Sequence, residues 1–169
     1  MAIEIKLVKY VPEVRQVIQL ADEIWHECFV DIISEGQIDY MLEKFQSIAP
    51  ICNGIEKEGY EYYMVLDDGD LCGYFAICPQ RGAKLFLSKL YLRKDKRGKG
   101  IASMMLDFIF DKAKRDRMDC VYLTVNRGNT HAIEVYKKKG FRIVRDEKTD
   151  IGGGYVMDDH IMQKDIEHD

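Results

Sequence analysis

Residues 85–103 read LFLSKLYLRKDKRGKGIAS, an almost continuous apolar run followed by basic residues and two glycines. The run Leu85–Leu92 predicts a central strand that is covered on both faces. A helix is predicted from about Met104 to Arg117, where apolar residues recur at helical spacing. The order of strand, glycine-rich turn and helix directs backbone N–H groups to one point. The stretch therefore predicts a site for a ligand that carries phosphate.

The turn after this strand contains Gly98 and Gly100, which let the backbone curl and let an oxyanion approach closely. Arg97 and Lys99 are expected to add two cations beside the same point. A P-loop is excluded because glycine, not serine or threonine, follows the Gly-Lys pair, and a dinucleotide fingerprint is excluded because Ser103 occupies its last glycine position. The structural alternative is an ordinary glycine turn with solvated basic residues.

The rest of the chain predicts an α/β (α+β) fold: a single domain over residues 1–169, with a mixed sheet of about seven strands and helices on both faces. Residues 48–58 fit either a short helix or an irregular loop. The remaining predicted elements are strands at 2–8, 60–66, 71–78, 120–125, 141–149 and 154–163, and helices from about Pro12, over 35–45 and over 130–139.

Composition limits the classes of partner. The net charge of −4 disfavours nucleic acid, and no apolar run reaches the length of about 20 residues that a membrane span needs. The opening MAIEIKLVKY lacks the apolar segment of a signal peptide, so a cytoplasmic protein is expected. The five cysteines form no CxxC pair, and we expect buried thiols in a reducing compartment and no metal site.

Two motifs together resemble the GNAT N-acetyltransferase superfamily. The family's pyrophosphate loop, [QR]-x-x-G-x-[GA], is filled by Arg97, Gly100 and Ala102. The segment from Asn129 to Phe141 is similar to the family's N-x-x-A-I-x-x-Y-x-K-x-G-F pattern at every specified position. The resemblance implies an acetyl-CoA-binding core at about 83–141 and acceptor-side helices at about 11–58.

The resemblance also implies roles for individual residues. Backbone amides of Gly98–Ser103 would bind the pyrophosphate of CoA, the backbone of Leu90 and Leu92 would pair with the pantetheine arm, and Asn129 would bind the arm from the other side. The full set of implied cosubstrate-binding residues is Leu90, Tyr91, Leu92, Arg97, Gly98, Lys99, Gly100, Ile101, Ala102, Ser103, Asn126, Asn129 and Tyr136.

Tyr136 is the catalytic residue that the resemblance implies, as a general acid near the thioester sulfur. The alternative for Tyr136 is packing on the sheet, and the alternative for both asparagines is helix capping. In the family a glutamate near the position of Ser88 or Lys89 often serves as base, and this chain has no glutamate there.

The acceptor side is less sharply predicted. In the family the acceptor enters between the first two helices and the last hairpin. His26 and Glu27 lie off the apolar stripe of the first helix, facing solvent or a cleft. Asp158 or Asp159 of the last strand would hold an ammonium group or relay its proton; the alternative is an acidic sheet edge that discourages aggregation.

The leading hypothesis is an N-acetyltransferase that moves the acetyl group of acetyl-CoA to a primary amine of a small molecule, by direct attack in a ternary complex. The sequence looks similar to small bacterial members that acetylate polyamines. The alternatives are a protein N-terminal or lysine acetyltransferase and a non-catalytic CoA-binding sensor. A homodimer is a further expectation that comes from the family alone.

Overall fold

The computed structural model describes residues 1–168. These residues form seven strands and five α-helices, together with a π-helical turn at Gly54–Glu58 and a 3-10 turn at Lys94–Lys96. The strands and helices are β1 (Ile3–Leu7), α1 (Val11–Phe29), α2 (Glu35–Phe45), α3 (Ile48–Asn53), β2 (Glu61–Asp67), β3 (Asp70–Gln80), β4 (Lys84–Leu92), α4 (Ile101–Arg115), β5 (Cys120–Asn126), α5 (Thr130–Lys138), β6 (Arg142–Gly152) and β7 (Tyr155–Asp165). No helix among these residues is both long enough and apolar enough to cross a membrane.

The strands form one mixed sheet in the order β1-β2-β3-β4-β5-β7-β6. Strands β4 and β5 are parallel, while the pairs β1–β2, β2–β3, β5–β7 and β6–β7 are antiparallel. Parallel neighbours need a crossover, and α4 provides it. The predicted mixed seven-stranded sheet is therefore confirmed. The idea that the last strand is an acidic sheet edge is wrong, because β7 lies between β5 and β6.

The chain divides into two compact units. The first contains Met1–Cys78 and Lys89–Met105, and the second contains Pro79–Ser88 and the chain from Leu106 onward. In the first unit, one face of α1 packs with residues of β2 and β3 in a continuous apolar core. In the second unit, buried side chains come from α4, β5, α5 and β7, among them Ile109, Leu123, Ile133 and Met162.

A buried hydrogen-bonded chain joins helices and strands of the first unit. The indole N–H of Trp25 donates to the Tyr74 hydroxyl at 3.1 Å, and that hydroxyl donates to Gln46 Oε1 at 2.9 Å. Gln46 Nε2 in turn donates to the Tyr62 hydroxyl at 3.1 Å. A buried polar group without a hydrogen-bond partner costs folding free energy, so these hydrogen bonds fix the end of α2 against β2 and β3.

Several helices and strands begin or end at residues other than those predicted from the sequence. Helix α4 begins at Ile101, because Gly100 turns the backbone with φ +82° and its carbonyl accepts the N–H of Met104 at 3.1 Å. The ambiguous stretch 48–58 is α3 followed by the π-helical turn. The final hairpin extends to 142–152 and 155–165, with its turn built on glycines at positive φ. All five cysteines are free thiols as expected, but Cys28 and Cys52 are only half-buried.

Candidate active site

The turn that contains Gly98 and Gly100, called the glycine loop below, exposes its backbone. Gly98 and Gly100 adopt φ values of +77° and +82°, in the left-handed region that favours glycine. A Cβ atom at either position would meet no atom within 4 Å, so the backbone is accessible to a ligand from the side-chain direction. The first residues of α4 follow at once, and their N–H groups precede the first hydrogen bond of the helix. The loop thus combines an open backbone with the positive end of a 15-residue helix.

Strand β4 precedes the loop, and two of its backbone N–H groups point away from β3. The N–H of Arg93 donates to the carbonyl of Cys72 on β3 at 2.8 Å. Because successive backbone groups of a strand point to opposite edges, the amides of Leu92 and Leu90 point to the other edge of β4. These are the two amides that an added, strand-like ligand arm requires.

The two cations predicted beside the loop differ in their surroundings. The guanidinium of Arg97 donates to the Cys28 sulfur on α1 at 2.8 Å, and its backbone N–H donates to the Lys94 carbonyl at 3.3 Å. Lys99 is exposed between the two loop glycines. The side chain of Lys99 is therefore available to a bound anion, whereas the guanidinium of Arg97 uses one of its five N–H donors for Cys28.

Asn126, the last residue of β5, and Asn129 both accept hydrogen bonds from nearby backbone N–H groups. Asn126 Oδ1 accepts the N–H of Gly128 at 2.8 Å, and Asn129 Oδ1 accepts the N–H of Ala132 at 3.3 Å, at the start of α5. The capping alternative is therefore confirmed for Asn129. Each amide still has its NH₂ group, a donor suited to a carbonyl oxygen of a ligand.

Tyr136 is buried, with 8% of its surface exposed, and its ring meets Phe141 edge-on at 5.5 Å between centroids. Among residues 1–168, no side chain or backbone group hydrogen-bonds to its hydroxyl. Burial raises the pKa of Tyr136, because the low dielectric disfavours the phenolate. The hydroxyl is therefore protonated at neutral pH.

Charged side chains of the last hairpin form an ion-pair network with Arg127, which follows β5. Sequence reasoning missed this network. Arg127 lies 3.0 Å from Asp158 and 3.0 Å from Asp146, and His160 also contacts Asp146. His160 and Arg127 lower the pKa of Asp146. Asp158, predicted to hold an ammonium group, is thus paired with Arg127, whereas Asp159 is buried. The partners lie far apart in sequence, so spacing gave no signal.

A second cluster connects α1 and α2. His26 Nδ1 donates to the Asp22 carbonyl at 2.7 Å, and His26 Nε2 lies 2.8 Å from Asp39 Oδ1. One side-chain nitrogen of His26 and one carboxylate oxygen each of Glu35 and Asp39 lie within 4.8 Å of one another. His26 thus faces a polar cluster, while Glu27 is exposed to solvent.

The chain is similar to known proteins in fold and in sequence. The chain resembles the structure of PaiA N-acetyltransferase from Thermoplasma acidophilum in complex with coenzyme A, with a TM-score of 0.81 and 24% identity over 98% of this chain and 99% of that one. It is 24% identical to spermine/spermidine N(1)-acetyltransferase of Bacillus subtilis over 135 residues, which are 74% of this chain and 84% of that protein.

A shorter match is closer in sequence. Over 63 residues the chain is 36% identical to GCN5-related N-acetyltransferase 6, chloroplastic, of Arabidopsis thaliana, a stretch that is 37% of this chain and 22% of that protein. A sequence model described as "Acetyltransferase (GNAT) family" matches residues 18–141, which include the glycine loop, both asparagines and Tyr136. The chain therefore belongs to the GNAT acetyltransferase family.

Proposed function

We propose that the protein transfers the acetyl group of acetyl-CoA to a primary amine of a small molecule. The observation that carries this proposal is the open backbone of the loop, where a Cβ at Gly98 or Gly100 would meet nothing within 4 Å. A pyrophosphate needs N–H donors that converge without side chains in front of them. Each hydrogen bond to a charged oxygen contributes about 1.5–3 kcal/mol, so four or five of them hold the cosubstrate firmly.

Three groups of the chain act on the cosubstrate in this proposal. Lys99 and the amides from Gly98 to Ser103 bind the pyrophosphate. The amides of Leu90 and Leu92 pair with the pantetheine arm, and the NH₂ group of Asn129 donates to an arm carbonyl.

The reaction requires a neutral amine. An alkylamine with a pKa near 10.4 is neutral in only about one molecule in 2,500 at pH 7, which adds roughly 4.6 kcal/mol to the barrier. A general base, or a water that leads to one, must remove this proton. The amine nitrogen then forms the new C–N bond to the acetyl carbon, the C–S bond breaks, and CoA leaves as its thiolate.

Tyr136 stabilises the leaving group. Its hydroxyl has no hydrogen-bond partner among the described residues, so it is available to the thiolate. Because burial raises its pKa above its usual value, Tyr136 donates a hydrogen bond during C–S cleavage and completes proton transfer only after the thiolate has formed.

The acceptor class rests on two supports. A Bacillus relative that matches 74% of this chain is named as a spermine/spermidine acetyltransferase. The chain also carries a net charge of −4, which favours association with cationic molecules over anionic ones. A polyamine or a similar small cationic amine is the acceptor that these observations favour.

The test is thiol release from acetyl-CoA, followed with a chromogenic thiol reagent across polyamines, amino acids, aminoglycosides and short peptides. A blank without amine subtracts the signal of the five cysteines, and mass spectrometry identifies the acetylated product. We expect release that depends on a small amine. Release only with peptides would favour protein acetylation, and tight acetyl-CoA binding without turnover would favour a sensor.

A further inference from the structure

In the basic segment before the glycine loop, some side chains point into the protein and others point into solvent. Lys96 ends the 3-10 turn, directly before Arg97, and its Nζ donates to Asp67 Oδ2 at 3.1 Å. The Lys96 side chain is 22% exposed and that of Asp67 is 9% exposed. Lys96 therefore points at the end of β2 rather than into solvent beside the loop.

Asp67 depends on this lysine. Its other carboxylate oxygen, Oδ1, is buried and accepts no hydrogen bond from residues 1–168. A buried carboxylate that loses its partner is left with an uncompensated charge, and breaking such a pair strongly destabilises a protein. Lys96 cannot leave Asp67 for a phosphate without this loss, and the bond to Asp67 raises the pKa of Lys96 so that it stays charged.

Backbone hydrogen bonds hold the same turn. The N–H of Lys96 donates to the Arg93 carbonyl at 3.0 Å, and Arg93 itself donates to Cys72 on β3 at 2.8 Å. The side chain of Arg97 then reaches Cys28 on α1. The start of the loop is thus attached to β2, β3 and α1, whereas Gly98, Lys99 and Gly100 are exposed.

We propose that Lys96 and Asp67 are positioning residues that hold the start of the phosphate-binding loop, so that its amides converge before acetyl-CoA arrives. Lys96 contacts no phosphate, and Lys99 is the cation that does. This inference rests on the proposed binding of acetyl-CoA at the loop. It deepens that proposal by separating the residues that position the site from those that touch the ligand.

The variant Asp67→Asn decides between positioning and direct contact, because the two roles predict opposite signs. If Lys96 positions the loop, loss of the Asp67 charge loosens the turn and weakens acetyl-CoA binding. If Lys96 binds phosphate directly, Asp67→Asn frees the lysine and leaves acetyl-CoA binding unchanged or tighter. Asparagine is similar in size to aspartate and can still accept a hydrogen bond, which favours a folded variant.

The experiment measures the acetyl-CoA dissociation constant by calorimetry for wild type, Asp67→Asn, Lys96→Met and the double variant. We expect about a tenfold rise for each single variant and no further rise for the double variant, since both remove one shared interaction. The double variant also leaves no unpaired buried charge, so the comparison holds if Lys96→Met fails to fold. Lys96→Arg should bind like wild type.

Acetyl-pantetheine, which lacks the nucleotide and its phosphates, separates positioning from a general structural role. With this donor we expect kcat/KM of Asp67→Asn to equal that of wild type. An equal loss with both donors, or a lowered Tm with unchanged acetyl-CoA binding, would overturn the proposal. Lys94→Met is the matched control, because it removes an exposed charge from the same turn, and its dissociation constant should change by less than about twofold.

The wild-type measurement keeps the two proposals apart. Wild type that does not bind acetyl-CoA would overturn the proposed function itself. Wild type that binds acetyl-CoA while Asp67→Asn binds equally well would overturn only the positioning role.

Discussion

The guanidinium of Arg97 donates a hydrogen bond to the sulfur of Cys28, 2.8 Å away on the preceding helix α1. The family motif places an arginine or glutamine at this position of the pyrophosphate loop, and here its side chain is used within the protein. Sulfur is a weak acceptor, so the contact stabilises the loop only modestly.

The first prediction concerns this contact. Cys28→Ala should lower the free energy of unfolding by about 1 kcal/mol and raise the KM for acetyl-CoA by less than about threefold, because a cationic donor loses its acceptor. Urea unfolding and initial rates measure the two effects. Cys52→Ala is the control, since Cys52 is also half-buried. Equal effects of the two substitutions on the free energy of unfolding would contradict a specific role for Cys28.

The second prediction concerns the leaving group. Tyr136→Phe should lower kcat by about 100-fold, the lower end of the usual effect of an acid catalyst, and should leave the acetyl-CoA dissociation constant unchanged. Stability should also be unchanged, because the hydroxyl has no partner within the described chain to lose. Tyr10→Phe, at a tyrosine that is 68% exposed, serves as the control. Full activity of Tyr136→Phe would show that the assigned acid is wrong.

The third prediction concerns the glycine loop. Gly100→Glu should abolish detectable acetyl-CoA binding, because it places bulk and negative charge where the pyrophosphate lies. Gly69→Glu is a matched control, since Gly69 also has a positive φ (+90°) and a Cβ that would meet nothing within 4 Å. Calorimetry compares the two variants, and thermal melts confirm that both fold. Similar acetyl-CoA binding by the two would remove the loop from the site.

The fourth prediction concerns pH. The bond to the Asp22 carbonyl, followed by Asp39, raises the pKa of His26 above its usual 6.5. A raised folded-state pKa adds stability that is complete below about pH 6.5, the unfolded value, and is lost as pH rises through the folded value. The stability difference between wild type and His26→Gln, measured by urea unfolding, should therefore shrink between pH 6 and 8.5. A difference that does not change with pH would show that His26 does not titrate in this way.

The sequence predicted those parts of the fold that depend on local patterns. The apolar run Leu85–Leu92 and the two-motif order located β4, the loop and α5, because each is fixed by residues within about 20 positions. Asp67 and Lys96 could not be paired from sequence, since they are 29 residues apart. Asp67 ends β2 and Lys96 follows β4, and they meet because both strands lie beside β3. The pairing of Arg127 with Asp158 could not be predicted for the same reason, since these residues are 31 positions apart.

The side-chain direction of Arg97 was equally hidden from the sequence. A basic residue in a glycine-rich turn is usually solvated or bound to an anion, and the pattern carried no sign of a sulfur on α1. The surroundings of Cys28 depend on how α1 packs within the first unit. Sequence periodicity predicts only that α1 has an apolar stripe.

The hydrogen-bonded chain from Trp25 through Tyr74 and Gln46 to Tyr62 has a consequence for folding. If α2 detached while the rest of this unit stayed folded, the hydroxyls of Tyr62 and Tyr74 would lose Gln46 inside an apolar core. Partial opening is thus penalised, and the amides of α2 and of β3 should exchange their hydrogens with solvent in a single cooperative event.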